Sequence, residues 1–257
     1  MFGFLIKKTF FDMWDNLFRI VALNLGFLIS FALLFYLPLL FQNNLILSYL
    51  SIFFSLLIIF IYTGTASAVI KDISDYQNTQ FRDIFKYLKA TMRSSLFFAL
   101  INIIFFFLIY TAFPFYSNLK NILGPLAFSL LFWFSIIWIL ASQYFYPVQS
   151  RLDRSIPKIL KKMFLLLLDN TFFSVALYIG ALIVLALSAF TAFLLPGIAS
   201  ILLWLNEALK LRLYKYDYLE KHPGTKKNQI PWDVLLIEDR EKIGKRTLKG
   251  MIFPWKE

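Results

Sequence analysis

Cysteine is absent from the 257-residue chain and histidine occurs once, at His222. The first absence excludes disulfides, thiolate metal sites and cysteine nucleophiles. The second leaves no histidine pair for a metal or an acid–base relay, and Lys221 and Pro223 place His222 in a solvated turn. Acidic residues are scarce, 15 Asp and Glu against 26 Lys and Arg. No Walker-type phosphate loop, Rossmann glycine pattern, HExxH, GxSxG or EF-hand sequence occurs. Serines such as Ser174 and Ser188 have no candidate base near them in sequence. These absences leave no candidate catalytic residue, metal site or cofactor, so the expectation is a protein that is not an enzyme.

What the chain has is hydrocarbon. It is 60% apolar and 19% aromatic with a mean hydropathy of +0.69, well above the ~45–50% apolar content of soluble domains. Apolar runs long enough to cross a ~30 Å hydrocarbon core recur along it. They are residues 20–41, 45–70, 94–115, 122–148, 170–190 and 196–213. The last two form one apolar stretch of about 60 Å as helix, so it has to turn near Thr191–Gly197, where Pro196 and Gly197 supply the break. The expected fold is an all-α membrane protein: six transmembrane helices as three consecutive hairpins, with amphipathic interfacial helices on the cytoplasmic side. Residues 1–213 form this six-span domain, including an N-terminal interfacial helix, and 214–257 form a basic cytoplasmic tail. The charges between Lys7 and Asp15 and the lack of a cleavage site after Phe41 argue against a signal peptide.

Charge sets the expected orientation. If Gln42–Asn44 lies outside, Lys120 is the single basic residue in an outside loop and the remaining 25 of 26 lie inside. The positive-inside rule then gives a bacterial cytoplasmic (inner) membrane protein with both termini in the cytoplasm. Three basic amphipathic segments, Phe2–Phe18, Gln80–Arg93 and Pro157–Leu168, each precede an apolar hairpin. Pro38, Pro114 and Pro196 recur near the outer turns, and Ala22-Leu23-Asn24 is echoed by Ala99-Leu100-Ile101-Asn102. The pattern fits either a threefold hairpin repeat or convergent apolar composition.

Short motifs give a further indication. Leu23-Asn24-Leu25 with Ser30 and Pro38, Gly64-Thr65-Ala66-Ser67-Ala68, Phe81-Arg82-Asp83-Ile84-Phe85 with Lys89 and Arg93, and Tyr144-Phe145-Tyr146-Pro147 before Arg151-Leu152-Asp153 resemble the YesL-like family of bacterial integral membrane proteins. The likeness covers about residues 12–210 and leaves the tail unmatched. It implies an accessory membrane protein associated with carbohydrate ABC-transporter components, with no catalytic residues to carry over.

Polar groups in the apolar runs are the functional candidates. Asn24, Asn102 and Gln143 either line a solute path or bond one helix to the next. Asp169 reads as the N-cap of the fifth span, and Glu207 as the helical partner of Lys210; ion coupling would need a second buried acidic group at similar depth. Gly64 with Ala68, and Gly180 with Val184, mark close helix packing. In the tail, Trp232, Leu235 and Leu236, then Met251, Phe253 and Trp255, are apolar anchors for either the membrane surface or a partner subunit. Its ten basic and seven acidic residues argue against nucleic acid. The expected partners are membrane lipids and another subunit of a membrane complex. The functional expectation is a non-catalytic accessory or scaffolding subunit of a bacterial membrane assembly. A small-solute channel or transporter and a membrane-embedded lipid-acting enzyme are the alternatives.

Overall fold

A membrane-spanning helix satisfies its own backbone hydrogen bonds, so apolar sequence of this kind folds as helices or closed barrels. The computed structural model, which describes residues 1–224, 229–247 and 250, contains helices and no strands among those residues. In chain order they are α1 (Phe2–Asp15), α2 (Leu17–Leu40), α3 (Leu45–Ser74), α4 (Phe81–Ser117), α5 (Leu123–Ser142), α6 (Phe145–Arg151), α7 (Ile156–Asp169), α8 (Thr171–Ala189), α9 (Gly197–Lys221), α10 (Trp232–Leu235) and α11 (Ile237–Ile243). Five helical stretches are long and apolar enough to cross a membrane: α2, α3, α4, α5 continued through α6, and α8.

Local chemistry explains the breaks. Asn44 accepts a hydrogen bond from Leu47 N at 3.2 Å and starts α3. Gln80 N donates to Asp83 Oδ2 at 2.9 Å at the start of α4. Pro157 occupies the first turn of α7, where a missing N–H costs nothing. After Ala189 the chain turns through Ala192 and Phe193 in the left-handed region, and Gly197, with φ +68°, opens α9.

Two elements depart from expectation. The basic segment at residues 80–93 is no separate surface helix: it is the first part of a single 37-residue α4, about 55 Å long. No proline or glycine stands between the basic extension and the apolar run, and Pro114 comes only in the last turn, so the helix continues from one into the other. The last apolar run also differs from the other five, because Glu207, Lys210 and Arg212 lie within α9, and α9 is not among the helices apolar enough to span.

The core sits at one end of the bundle. One buried cluster joins Leu5, Phe98, Trp138, Tyr144, Phe145, Met163, Leu177, Trp204, Leu209 and Leu236; a second joins Ile20, Phe27, Ala66, Ile70, Leu202 and Leu203. Helix α9 contributes to both, which makes it the central post of the fold. Gly64 lets α3 approach α4, since a Cβ there would lie 2.1 Å from Ser95 Oγ, and a Cβ on Gly180 would lie 2.7 Å from the Trp204 ring. Away from this core, large side chains such as Phe107, Tyr110, Leu130 and Trp133 face outward. Apolar side chains presented in this number suit a hydrocarbon solvent and not water.

Candidate functional site

The densest chemistry lies where α1, α9 and α11 meet the C-terminal ends of α3 and α6. Amphipathic α1 turns Lys8 and Asp12, one helical turn apart, onto its buried face. Lys8 Nζ lies 2.5 Å from Asp12 Oδ2, 3.1 Å from Glu207 Oε1 and 3.6 Å from Asp239 Oδ1, and it donates to Tyr76 Oη at 2.9 Å. Lys8 and Glu207 are fully buried, and Asp12 and Asp239 are each 3% exposed. Lys210 Nζ contacts Asp239 Oδ1 at 3.0 Å and Asp75 Oδ1 at 3.5 Å, and donates to Ser74 O at 2.9 Å. Arg151 from α6 clamps both oxygens of Asp75 at 2.9 and 3.0 Å and donates to Ser74 Oγ at 2.6 Å. Tyr214 donates to Asp239 Oδ2 at 3.1 Å. Next to this knot, Asp72 accepts from Tyr87 Oη at 2.5 Å and Thr79 Oγ1 at 3.0 Å.

Burial works against the charge on Lys8, but Glu207, Asp12, Tyr76 and Asp239 outweigh it and hold the ammonium well above the usual lysine range. Neither Glu207 oxygen makes a well-directed hydrogen bond, so its compensation is the Coulomb attraction of Lys8. Paired charges with little water around them give a fold one register more than they give it net stability. Glu207 is therefore paired with Lys8, while Lys210, three residues further along α9, pairs with Asp239 and Asp75. Asp12 and Asp239 supply the further buried acidic groups that were not evident from the spans alone.

The remaining sequence candidates lie apart. Asn24 of α2 fastens the head of α9: its Nδ2 donates to Leu194 O at 2.9 Å and Pro196 O at 2.8 Å, and its Oδ1 accepts from Ala199 N at 2.8 Å. Asn102 donates to Phe98 O at 2.8 Å and accepts from Trp138 Nε1 at 3.2 Å, linking α4 to α5. Gln143 donates to Leu140 O and Ser174 O at 2.8 and 3.0 Å, linking α5 to α8. Each binds a different neighbour, and the three do not converge on one cavity. Asp169 is no N-cap: it is the last residue of α7, Asn170 stands before α8, and Asp169 instead takes Lys215 Nζ at 3.2 Å and Tyr216 Oη at 2.8 Å. In the tail, Leu236 is fully buried in the chain's own core, with Trp232 packed against it, and Leu235 is half-buried. Met251, Phe253 and Trp255 lie outside the described residues.

A polar layer in the bundle also went unread from sequence. Gln149 Nε2 donates to Thr91 O, Ser94 Oγ and Ser95 Oγ at 3.1, 2.6 and 3.1 Å, while Asn206 Nδ2 reaches Ser67 Oγ at 3.1 Å and its Oδ1 accepts from Ser150 at 3.2 Å. Among the described residues, no group of three or more His, Asp or Glu is placed to hold a metal. What the charge cluster can do chemically is bind the first, ninth and eleventh helices into one unit.

The fold and these sites define an all-helical, multi-pass membrane protein. Comparison with family models, curated proteins and solved structures finds no match for the chain.

Proposed function

We propose that this protein is a non-catalytic accessory or scaffolding subunit of a bacterial cytoplasmic-membrane assembly, crossing six times with both termini inside. The observation that carries the reading is that Asn24, Asn102 and Gln143 of the apolar helices are spent on neighbouring helices or turns, while the start of α4 presents a run of exposed basic side chains. There Arg82, Lys86, Lys89 and Arg93 are exposed, and Phe85, also exposed, stands among them. A rigid basic stalk with an aromatic on its face suits docking to another subunit. The YesL-like motifs support the same class and point to a carbohydrate ABC transporter as the assembly. The separate bonding of Asn24, Asn102 and Gln143 weighs against a solute path. The sixth crossing rests on α9 returning from the turn at residues 190–196 toward the basic end, where it meets α1.

The test is purification of the full chain from native membranes in mild detergent, followed by mass spectrometry of what stays bound. A transporter subunit is expected, and it is lost from Lys86→Glu/Lys89→Glu. A lone protein that conducts solute in liposomes would refute the scaffold. For topology, a membrane-impermeant maleimide should label Asn43→Cys, Lys120→Cys and Ala192→Cys in intact cells, but Ser155→Cys only after permeabilisation. Labelling of Ser155→Cys without permeabilisation would reverse the orientation.

A further inference from the structure

A second site lies in the membrane domain, away from the charge cluster. Helix α9 begins beside Asn24, sixteen residues before the end of α2, about 24 Å by helical rise. Beyond that level α2 loses α9 as a neighbour, and its Phe27, Phe31 and Phe35, spaced four residues apart on one face, border a cavity of about 370 Å³. The opposite wall is Leu185 of α8, Phe193 of the turn and Ile198 of α9. Phe27 is buried, whereas Phe35 is 68% exposed, so the cavity is closed at the Asn24 end and opens toward the end of α2. Asn24 forms the floor, but its amide already makes three hydrogen bonds to the turn and to α9. The lining offers a ligand no free polar group.

From this geometry we infer that the cleft between α2 and the α8–α9 turn is a binding site for one acyl chain of a membrane phospholipid. Three facts select that occupant. The cleft lies among helices whose solvent is hydrocarbon, so water does not fill it. Its wall is aromatic and aliphatic throughout, which suits a chain and not a headgroup. The Phe27–Phe35 run is about 12 Å long, close to the ~15 Å that one leaflet contributes to a ~30 Å core. An acyl chain entering beside Phe35 therefore ends at Asn24. Polar segments of a second polypeptide gain nothing there.

The experiment uses the full chain in nanodiscs of phosphatidylethanolamine and phosphatidylglycerol containing a phosphatidylcholine with a diazirine near the end of one acyl chain. Peptide mapping after irradiation is expected to find label on residues 27–35 and 185–198, enriched roughly tenfold over the outward-facing Phe106–Phe107 segment, equivalent to about 1.4 kcal/mol. Leu185→Trp, which fills the cleft, should abolish that enrichment, while Phe107→Trp should leave it. Native mass spectrometry of wild-type protein released from the nanodiscs should retain one phospholipid. Even labelling of all outward faces means that the cleft holds only exchanging bulk lipid and overturns the assignment. Disulfide cross-linking of Leu28→Cys between two copies, with the cleft unlabelled, overturns it in favour of a second copy of the chain.

Discussion

Replacing Lys8 with methionine should cost more than any substitution on the surface of this protein. The side chain is fully buried with three carboxylates within 3.6 Å of its nitrogen. At an effective dielectric of about 20, the 3.1 Å contact with Glu207 alone corresponds to roughly 5 kcal/mol of Coulomb attraction before desolvation is subtracted. Removing one member of a buried pair, leaving the other uncompensated, costs about 3–5 kcal/mol. For a domain of this size 1 kcal/mol moves the midpoint by about 2–4 °C, so Lys8→Met should unfold roughly 6–20 °C below wild type. The assay is tryptophan-fluorescence melting in dodecylmaltoside, in a double-mutant cycle with Glu207→Leu. The double variant removes both charges and should recover at least half of the loss. A Lys8→Met midpoint within about 2 °C of wild type, under 1 kcal/mol, would refute the claim that the cluster holds the helices together. The sign with pH follows from the raised lysine. Its contribution is fully present below the usual value of 10.5 and is lost only as pH climbs through the higher folded value, so melting from pH 7 to 9 should show no decline from this group.

Other outcomes follow from the same geometry. Asn24→Ala removes three hydrogen bonds across the α2–α9 contact; at ~0.6 kcal/mol each it should cost about 2 kcal/mol by the same melting assay. Gly197→Ala should cost more, because the residue has φ +68° and an added Cβ would lie 2.2 Å from Asn24 Nδ2. The two costs should fall short of additivity in the double variant, since Asn24→Ala clears that space. Asp239→Ala should loosen α11 and speed tryptic cleavage at Arg240 and Lys242 severalfold, measured by timed digestion; an unchanged rate would mean that α11 is held by Leu236 and Ile243 alone. Arg151→Lys cannot hold Asp75 and Ser74 Oγ from two separate nitrogens at once and should lower stability by about 1–2 kcal/mol, read from the shift in midpoint.

Helix content and the turn at Pro196–Gly197 were legible because they are local properties: apolar runs, breakers and caps act over a few residues. Asn24 was legible as a buried polar group, since an amide amid leucines has to find partners, but its partners lie some 170 residues away. Lys8 was not singled out for a related reason. In sequence it stands beside Lys7 on an amphipathic helix, which describes an interfacial residue well. Only the packing of α9 and α11 over α1 takes it out of water. A sign was nevertheless present on the other partner: Leu236, Asp239 and Ile243 share a helical face, so an acidic side chain sits in an apolar stripe and calls for a buried cation. Asp169 was placed one residue too far along because a cap and a final helical residue differ by a single position, decided here by Lys215 and Tyr216 of a distant helix.

The clasp between α1 and the C-terminal helices also has a temporal side. Lys8 is made 199 residues before Glu207 and 231 residues before Asp239. At about 5–20 residues per second, the intervening stretch takes roughly 10–50 s to make. Throughout that interval the ammonium has Asp12 on its own helix but neither of the distant carboxylates. It stays hydrated until α9 arrives. The arrival of α9 and α11 is thus what withdraws α1 from water, and a polypeptide interrupted before residue 207 carries an unburied α1.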